Sequence, residues 1–228
     1  MIETTNTAVI LVGGLGERLK PLTNTIPKPL LKFGNSTILD TIIINLVKNK
    51  YNHIILAAKY KSENFEKEIL RLSKNFPEIK FEISIEKKAL GTCGPIKLLE
   101  KKLPNIFLLI NGDVITNANF LEANINFKKS KSPLLIFSKE IIRPFEFGEL
   151  IIEKDKIINI KEKPIISSEI LAGIYLMKKT LIAEIPENKY YGMDELIRAL
   201  LDKKIKVDRF LIQDFWLDVG DMKYFRKK

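Results

Sequence analysis

Five apolar, β-branched runs, at 8–12, 53–58, 80–85, 105–110 and 133–138, recur along the chain with stretches of helical period between them. This alternation constrains the fold more than any other feature. Strands without polar alternation need burial on both faces, and helices between successive strands supply the covers of a mostly parallel sheet. The clearest helical stretch puts Ile38, Leu39, Ile42, Ile43, Leu46 and Val47 on one stripe, behind Thr37 and Asp40, which suit a capping box. After about residue 140 the pattern changes: ELIIEKDKIINIKEKP predicts two short strands around Lys154-Asp155, a hairpin rather than a crossover. The expected architecture is α/β, a mostly parallel sheet sandwiched by helices, in one domain over residues 1–228 with a smaller antiparallel addition over about 140–190.

Composition matters chiefly for what it excludes. With 228 residues, 46% of them apolar, the chain can bury a sizeable core. The opening MIETTNT has an acid and no basic residue. No apolar run approaches the roughly 18 residues of a membrane span, and nothing resembles a leader cleavage site, so the chain reads as cytoplasmic with no membrane partner. Cys93 is the one cysteine and His53 the one histidine. No internal disulfide or zinc cluster is expected, and any metal would be held by oxygen. The net charge of +10 comes from lysines scattered through an Ile-, Lys- and Asn-rich chain, without a stripe of basic and aromatic residues on one predicted face. Nucleic acid is therefore not an expected partner.

The first strand runs into GGLGERLKPLTNTIPKP, residues 13–29. A glycine-rich turn at the carboxyl end of a parallel strand is where α/β folds bind ligands. Two phosphate loops fail here. Leu19 stands where the dinucleotide fingerprint needs its third glycine, and no Gly-Lys-Ser/Thr follows for a Walker loop. What remains is glycines that open backbone N–H groups to an anion, Arg18 as a forked donor, and Lys28 restricted between Pro27 and Pro29. Taken alone, the same residues also describe a tight strand exit with exposed basic side chains.

GGLGERLKPLT followed by PKP resembles the signature of the sugar-1-phosphate nucleotidyltransferases, the nucleoside-diphosphate-sugar pyrophosphorylases. Later motifs follow in the same order over residues 7–226: EKKALGTCGP resembles the nucleobase loop, INGDVI the metal-aspartate strand, FGELIIE and IKEKP the sugar-phosphate elements, LAGIY the sugar-pocket strand, and WLDVGD the second metal aspartate. The resemblance implies a Rossmann-like fold and a reaction between a nucleoside triphosphate and a sugar 1-phosphate, assisted by Mg²⁺ or Mn²⁺. It assigns Arg18, Lys28 and Asp113 to catalysis, and Asp113 with Asp218 to the metal. Val12, Gly13, Gly14, Gly16, Glu86, Leu90, Gly91 and Thr92 fall to the nucleotide, and Gly148, Glu162, Lys163, Ala172 and Gly173 to the sugar phosphate. Without it, Asp113 and Asp218 read as strand-end turn residues, and Lys161 to Lys163 as a solvated charge run.

Several positions depart from the pattern. Leu171 stands where many members carry asparagine beside the sugar, which points to a different sugar or to recognition by the backbone of Ala172 and Gly173. Cys93 and Pro95 occupy positions where small residues are common, and Cys93 reads as a buried structural thiol because no base is paired with it. His53 reads as a strand-edge residue. The chain ends at YFRKK, so acyl transfer by an appended β-helix is not expected. Glu86 aligns with the base-reading side chain. Its two acceptor oxygens complement the adjacent N1–H and N2–H₂ donors of guanine, which favours GTP, with uracil next and cytosine and thymine behind. The short form is similar to guanylyltransferases acting on heptose, mannose or aminosugar 1-phosphates. The alternatives are a uridylyltransferase or cytidylyltransferase of the same fold, or a non-catalytic regulatory subunit. A homo-oligomer, or a regulatory domain fused ahead of residues 1–6, stays open.

Overall fold

The computed structural model describes residues 6–59, 61–220 and 222–225. Most of the opening segment, the Asp221 that closes WLDVGD, and the final residues 226–228 lie outside the described residues. The chain forms β1 (Thr7–Leu11), a short ladder of β2 (Lys32–Phe33) and β3 (Ser36–Thr37), α1 (Ile38–Lys48), β4 (His53–Ala58), α2 (Ser62–Asn75), β5 (Lys80–Ile85) and α3 (Gly94–Leu98). It continues with β6 (Ile106–Asn111), β7 (Val114–Thr116), α4 (Phe120–Lys129), β8 (Leu134–Pro144), β9 (Glu149–Glu153) and β10 (Lys156–Lys161). The last elements are β11 (Ile165–Lys178), α5 (Met193–Asp202), β12 (Val207–Leu211) and β13 (Trp216–Asp218).

Seven strands form the main sheet in the order β12-β8-β11-β6-β1-β4-β5. All neighbours are parallel except β11, which runs antiparallel to both β6 and β8. The central strands β1, β4 and β6 are apolar along most of their length because each face has a cover, whereas β5 at the edge alternates Lys80, Glu82 and Ser84 with apolar residues. Along β1, Ala8 and Ile10 join a core that includes Phe65, Phe120 and Phe127 from α2 and α4. Val9 points the other way, into a core with Ile96 of α3 and Leu196 of α5. The capping box of α1 is formed: Thr37 Oγ1 accepts the Asp40 N–H at 3.0 Å, and Asp40 Oδ2 accepts the Thr37 N–H at 3.3 Å. That fixes the start of the helix whose stripe buries Ile38, Leu39, Ile42, Ile43 and Leu46.

His53 needs correction. It opens β4, but β4 lies between β1 and β5 rather than at an edge, and the imidazole is buried. It sits between Thr7 Oγ1 at 3.2 Å and Glu82 Oε1 at 3.1 Å, because a polar ring at a covered strand end must find partners there.

The antiparallel addition is narrower than the sequence pattern implies. Beyond Ser138, β8 pairs with the first half of β11, from Ile165 to Leu171, and the β9–β10 hairpin forms a separate two-stranded sheet. From Ile174 to Lys178, β11 already pairs with β6 in the main sheet. The register shift between Leu171 and Tyr175 marks the passage, with Gly173 in a left-handed conformation at φ 73°. Among the described residues no helix is long and apolar enough to cross a membrane.

Candidate active site

A cleft of about 590 Å³ opens where the carboxyl ends of β1, β4 and β6 meet, on either side of the first strand. Neighbouring chain segments leave a parallel sheet in opposite directions at such a point, which opens a crevice for a ligand. The loop after β1 supplies one wall with Val12, Gly13, Gly14, Gly16 and Arg18. A Cβ on Gly14 would meet no protein atom within 4 Å, so the bare backbone there leaves room for a ligand rather than for a neighbour. Gly16 is different. It is left-handed, at φ 64°, and a Cβ would lie 2.7 Å from Thr23, whose hydroxyl donates to the Gly16 carbonyl at 2.9 Å. Lys61 Nζ donates to the Asn24 carbonyl at 2.5 Å, and so ties the loop to the start of α2.

The opposite wall is the 86–95 loop. Glu86, Leu90, Gly91 and Thr92 all line the cleft. The loop is sewn to the segment before α5: Tyr191 N–H donates to the Leu90 carbonyl at 2.9 Å, Cys93 N–H to the Tyr191 carbonyl at 3.0 Å, and Met193 N–H to Thr92 Oγ1 at 2.7 Å. The Thr92 hydroxyl therefore serves the first turn of α5. Glu86 is buried, and its Oε2 accepts the Leu90 N–H at 2.9 Å. One carboxylate oxygen is thus engaged by the loop itself, which narrows the two-acceptor reading of Glu86 to Oε1. Burial raises its pKa, against the Leu90 N–H and the charge of Lys59.

At the mouth of the cleft, Lys28 Nζ lies 2.5 Å from Asp113 Oδ2 and 3.8 Å from Asp218 Oδ1. The two aspartates are far apart in sequence. They meet because β13 pairs with β7, Asp218 opposite Val114, and because the Val219 N–H donates to the Asp113 carbonyl at 2.9 Å. Arg18 approaches the same place: a Cβ on Gly220 would sit 2.8 Å from Arg18 Nη2 and 2.9 Å from Asp218 Oδ1. Burial, then the neighbouring Asp113, raise the pKa of Asp218, while Lys28 and Arg18 oppose them. Asp218 Oδ1 is buried without a hydrogen bond. A carboxylate oxygen without a hydrogen bond, with Lys28 Nζ 3.8 Å away and a second carboxylate beside it, suits a hard divalent cation held by oxygen. Among the described residues no third His, Cys, Asp or Glu joins the pair, so any further ligands would come from phosphate or water.

The residues assigned to the sugar phosphate stand in two places. Gly148 faces Glu162, whose Oε2 would lie 3.3 Å from a Cβ there, so the hairpin brings these two together next to Lys163. Among the described residues no hydrogen bond or ion pair joins Glu162 or Lys163 to the cleft. Gly173 packs on Asn111, which lines the cleft, and a Cβ would come within 2.6 Å of its amide nitrogen. Ala172 is buried and its carbonyl accepts the Trp216 indole N–H at 2.9 Å, so that carbonyl serves to seat β13. Cys93 is buried, with Sγ 3.7 Å from Met193 Sδ, and burial with the nearby Asp194 and Glu195 pushes the thiol up to about 12. It is a packing residue.

Two polar cleft residues, Lys59 and Tyr190, lie outside every motif read from the sequence, and Asn111 was read only as part of INGDVI. Lys59 carried a usable signal, a charged residue directly after the apolar run 54–58, the pattern that also exposed Asp113. Tyr190 carried none, because its segment reaches the cleft only through the pairing of 191 with the 90–93 loop.

A glycine loop, a switch-point cleft and an ammonium between two carboxylates make an α/β site whose chemistry suits anions and a cation held by oxygen. The chain belongs to the nucleotidyl transferase family, whose sequence model matches residues 7–228. Among its relatives, a mannose-1-phosphate guanylyltransferase catalytic subunit beta from Xenopus tropicalis is 34% identical over 227 residues, which cover 96% of this chain and 62% of that protein. A mannose-1-phosphate guanyltransferase from Aspergillus oryzae is 32% identical over 226 residues, with the same coverage of 96% and 62%. The chain thus spans about 62% of the length of these curated relatives. Among solved structures, HddC from Yersinia pseudotuberculosis superposes with a TM-score of 0.73 at 26% identity, covering 97% of this chain and 96% of that one, and has also been solved complexed with GMP-PN.

Proposed function

We propose that this chain transfers a guanylyl group from GTP to a sugar 1-phosphate and releases pyrophosphate. The observation that carries the reading is Lys28 poised between Asp113 and Asp218, with Arg18 beside them, at the mouth of a glycine-walled cleft. An oxygen of the sugar phosphate attacks the α-phosphorus in line, the bond to the bridging oxygen breaks, and pyrophosphate leaves with that electron pair. Charge accumulates on both sides of one phosphorus, so the task of the protein is positioning and neutralisation. The fork of Arg18 suits the β- and γ-phosphates and the leaving pyrophosphate, and Lys28 suits the phosphate at the reacting centre. Asp113 and Asp218 would hold Mg²⁺, or Mn²⁺, which when bound supplies further neutralisation of the phosphates.

Val12, Gly13, Gly14 and Gly16 form the nucleotide wall, and Glu86, Leu90, Gly91 and Thr92 the base loop. Gly148, Glu162, Lys163, Ala172 and Gly173 are assigned to the sugar phosphate. Guanine is favoured by the acceptor oxygen of Glu86, by the guanylyltransferase names of the relatives and by the GMP-PN complex of HddC. The deciding assay is pyrophosphate release over a grid of four nucleoside triphosphates and a panel of sugar 1-phosphates, mannose 1-phosphate first. Release with GTP is expected, and a grid in which no pair reacts overturns the proposal.

A further inference from the structure

β4 is buried along its whole length and apolar after His53, and the residue that follows it at the carboxyl edge of the sheet is Lys59. Lys59 lines the same cleft as Glu86, and Gly13 lies between them. A Cβ on Gly13 would come within 2.9 Å of Glu86 Oε1, 3.2 Å of Lys59 N and 3.3 Å of Lys59 Cβ, so the wall is bare where the two residues converge. Neither behaves as half of an ordinary surface ion pair. Glu86 is buried and has given Oε2 to the Leu90 N–H. Lys59 is half-buried and makes no hydrogen bond or salt bridge with another described residue, although its charge favours the ionised form of Glu86. The cleft therefore holds a lysine without a hydrogen-bond or ion-pair partner among the described residues, within electrostatic reach of one unfilled carboxylate oxygen.

We propose that Lys59 and Glu86 Oε1 form a donor–acceptor pair that reads the keto edge of the nucleobase, Lys59 donating to O6 of guanine while Oε1 accepts N1–H. The assignment rests on the nucleotidyl-transfer reading and specifies how that site chooses its base. Adenine and cytosine would present an amino group to the ammonium and a ring-nitrogen acceptor to the carboxylate, so both contacts would be mispaired. Uracil shares the keto and N–H pattern of guanine at this edge. The pair therefore separates keto bases from amino bases.

The test is calorimetric binding of GTP, ATP, UTP and CTP, with Mg²⁺ and without sugar phosphate, to the wild type, Lys59→Met and Lys59→Arg. In the wild type, GTP should bind about 100-fold more tightly than ATP, since two buried mispaired groups are at stake. Lys59→Met should lose about tenfold of that ratio, mainly through weaker GTP binding, and Lys59→Arg should keep it. An unchanged GTP to ATP ratio in Lys59→Met overturns the assignment. Equal weakening of all four triphosphates also overturns it, by making Lys59 a phosphate contact. Because binding is read without turnover, a chain that selects GTP but releases no pyrophosphate would refute the transfer reading alone and leave the role of Lys59 standing.

Discussion

The cleft loops and the β9–β10 hairpin both carry large apolar side chains, yet the structure treats them in opposite ways. In the cleft, Leu19, Leu90 and Cys93 are buried, and the 86–95 loop is bonded to Tyr191 by two backbone hydrogen bonds and to the first residue of α5 through the Thr92 hydroxyl. The hairpin exposes what it carries: Phe147 is 72% exposed, Ile152 63% and Ile157 65%. On the hairpin face shared by Leu150, Ile152, Ile157 and Ile160, among the described residues, nothing covers the side chains. A two-stranded sheet of this kind gains little from burial and depends on its turn and cross-strand pairs. Cleft positions are thus held by the whole fold, whereas Glu162 and Lys163 are held by a local element. Substitutions should therefore have effects of very different size in the two regions.

The largest effect is expected at the mouth of the cleft. Asp113→Ala and Asp218→Ala should each lower turnover by at least about 10²-fold while circular dichroism shows a folded chain. Either variant active at saturating Mg²⁺ would remove that carboxylate from the role. Next comes Gly91→Ala. Gly91 is left-handed, at φ 79°, and a Cβ would sit 2.5 Å from the Tyr191 carbonyl oxygen. A loss of about 2 kcal/mol in urea unfolding should follow, and a neutral result would mean that the loop is not held by its backbone as described.

On the hairpin side, Lys163→Ala should raise the KM for the sugar 1-phosphate about tenfold and leave the KM for the triphosphate in place, since only one charge-assisted contact is removed. Equal changes in both would detach Lys163 from the sugar phosphate. At the far end of the sheet, burial lowers the pKa of His53, opposed by Glu82, while Lys80 and Lys102 lower it further. The unfolded chain therefore binds more protons just below the ordinary histidine value of about 6.5, so stability should fall as pH drops through that value. The urea midpoint of the wild type should be higher at about pH 7.5 than at about pH 5.5, and His53→Gln should flatten the difference. An unchanged slope would assign it to other groups. The smallest effect is expected for Ile157→Thr on the hairpin, under about 0.5 kcal/mol. A larger loss that grows on dilution would show that the exposed face is covered by a second molecule, and would undo the contrast between the two regions.

Much of this was legible before any coordinates. The five runs became β1, β4, β5, β6 and β8 within a residue or so at their starts: burial on both faces leaves β1, β4 and β6 few polar positions, while the edge strand β5 alternates Lys80, Glu82 and Ser84 with apolar residues. The capping box and the hairpin around Lys154-Asp155 were legible for the same reason: each is built from neighbours in sequence. The extent of the addition was not, because the second half of β11 looks like the first until its partner changes from β8 alone to β6 as well.

Local sequence was enough for the alternation of strand and helix, the glycine-rich exit from β1, and the charged residues that follow apolar strands at the edge of the sheet. These follow from local periodicity, backbone freedom and the cost of burying charge. Family resemblance could pair Asp113 with Asp218, but it took the antiparallel joining of β13 to β7 to set them on either side of Lys28. Tertiary packing also placed Lys59 beside Glu86, turned one oxygen of Glu86 to the Leu90 N–H, and brought Tyr190 into the cleft. Each of these depends on contacts between residues distant in sequence, whose geometry is set by the packing of whole elements and leaves no periodic trace in the residues themselves.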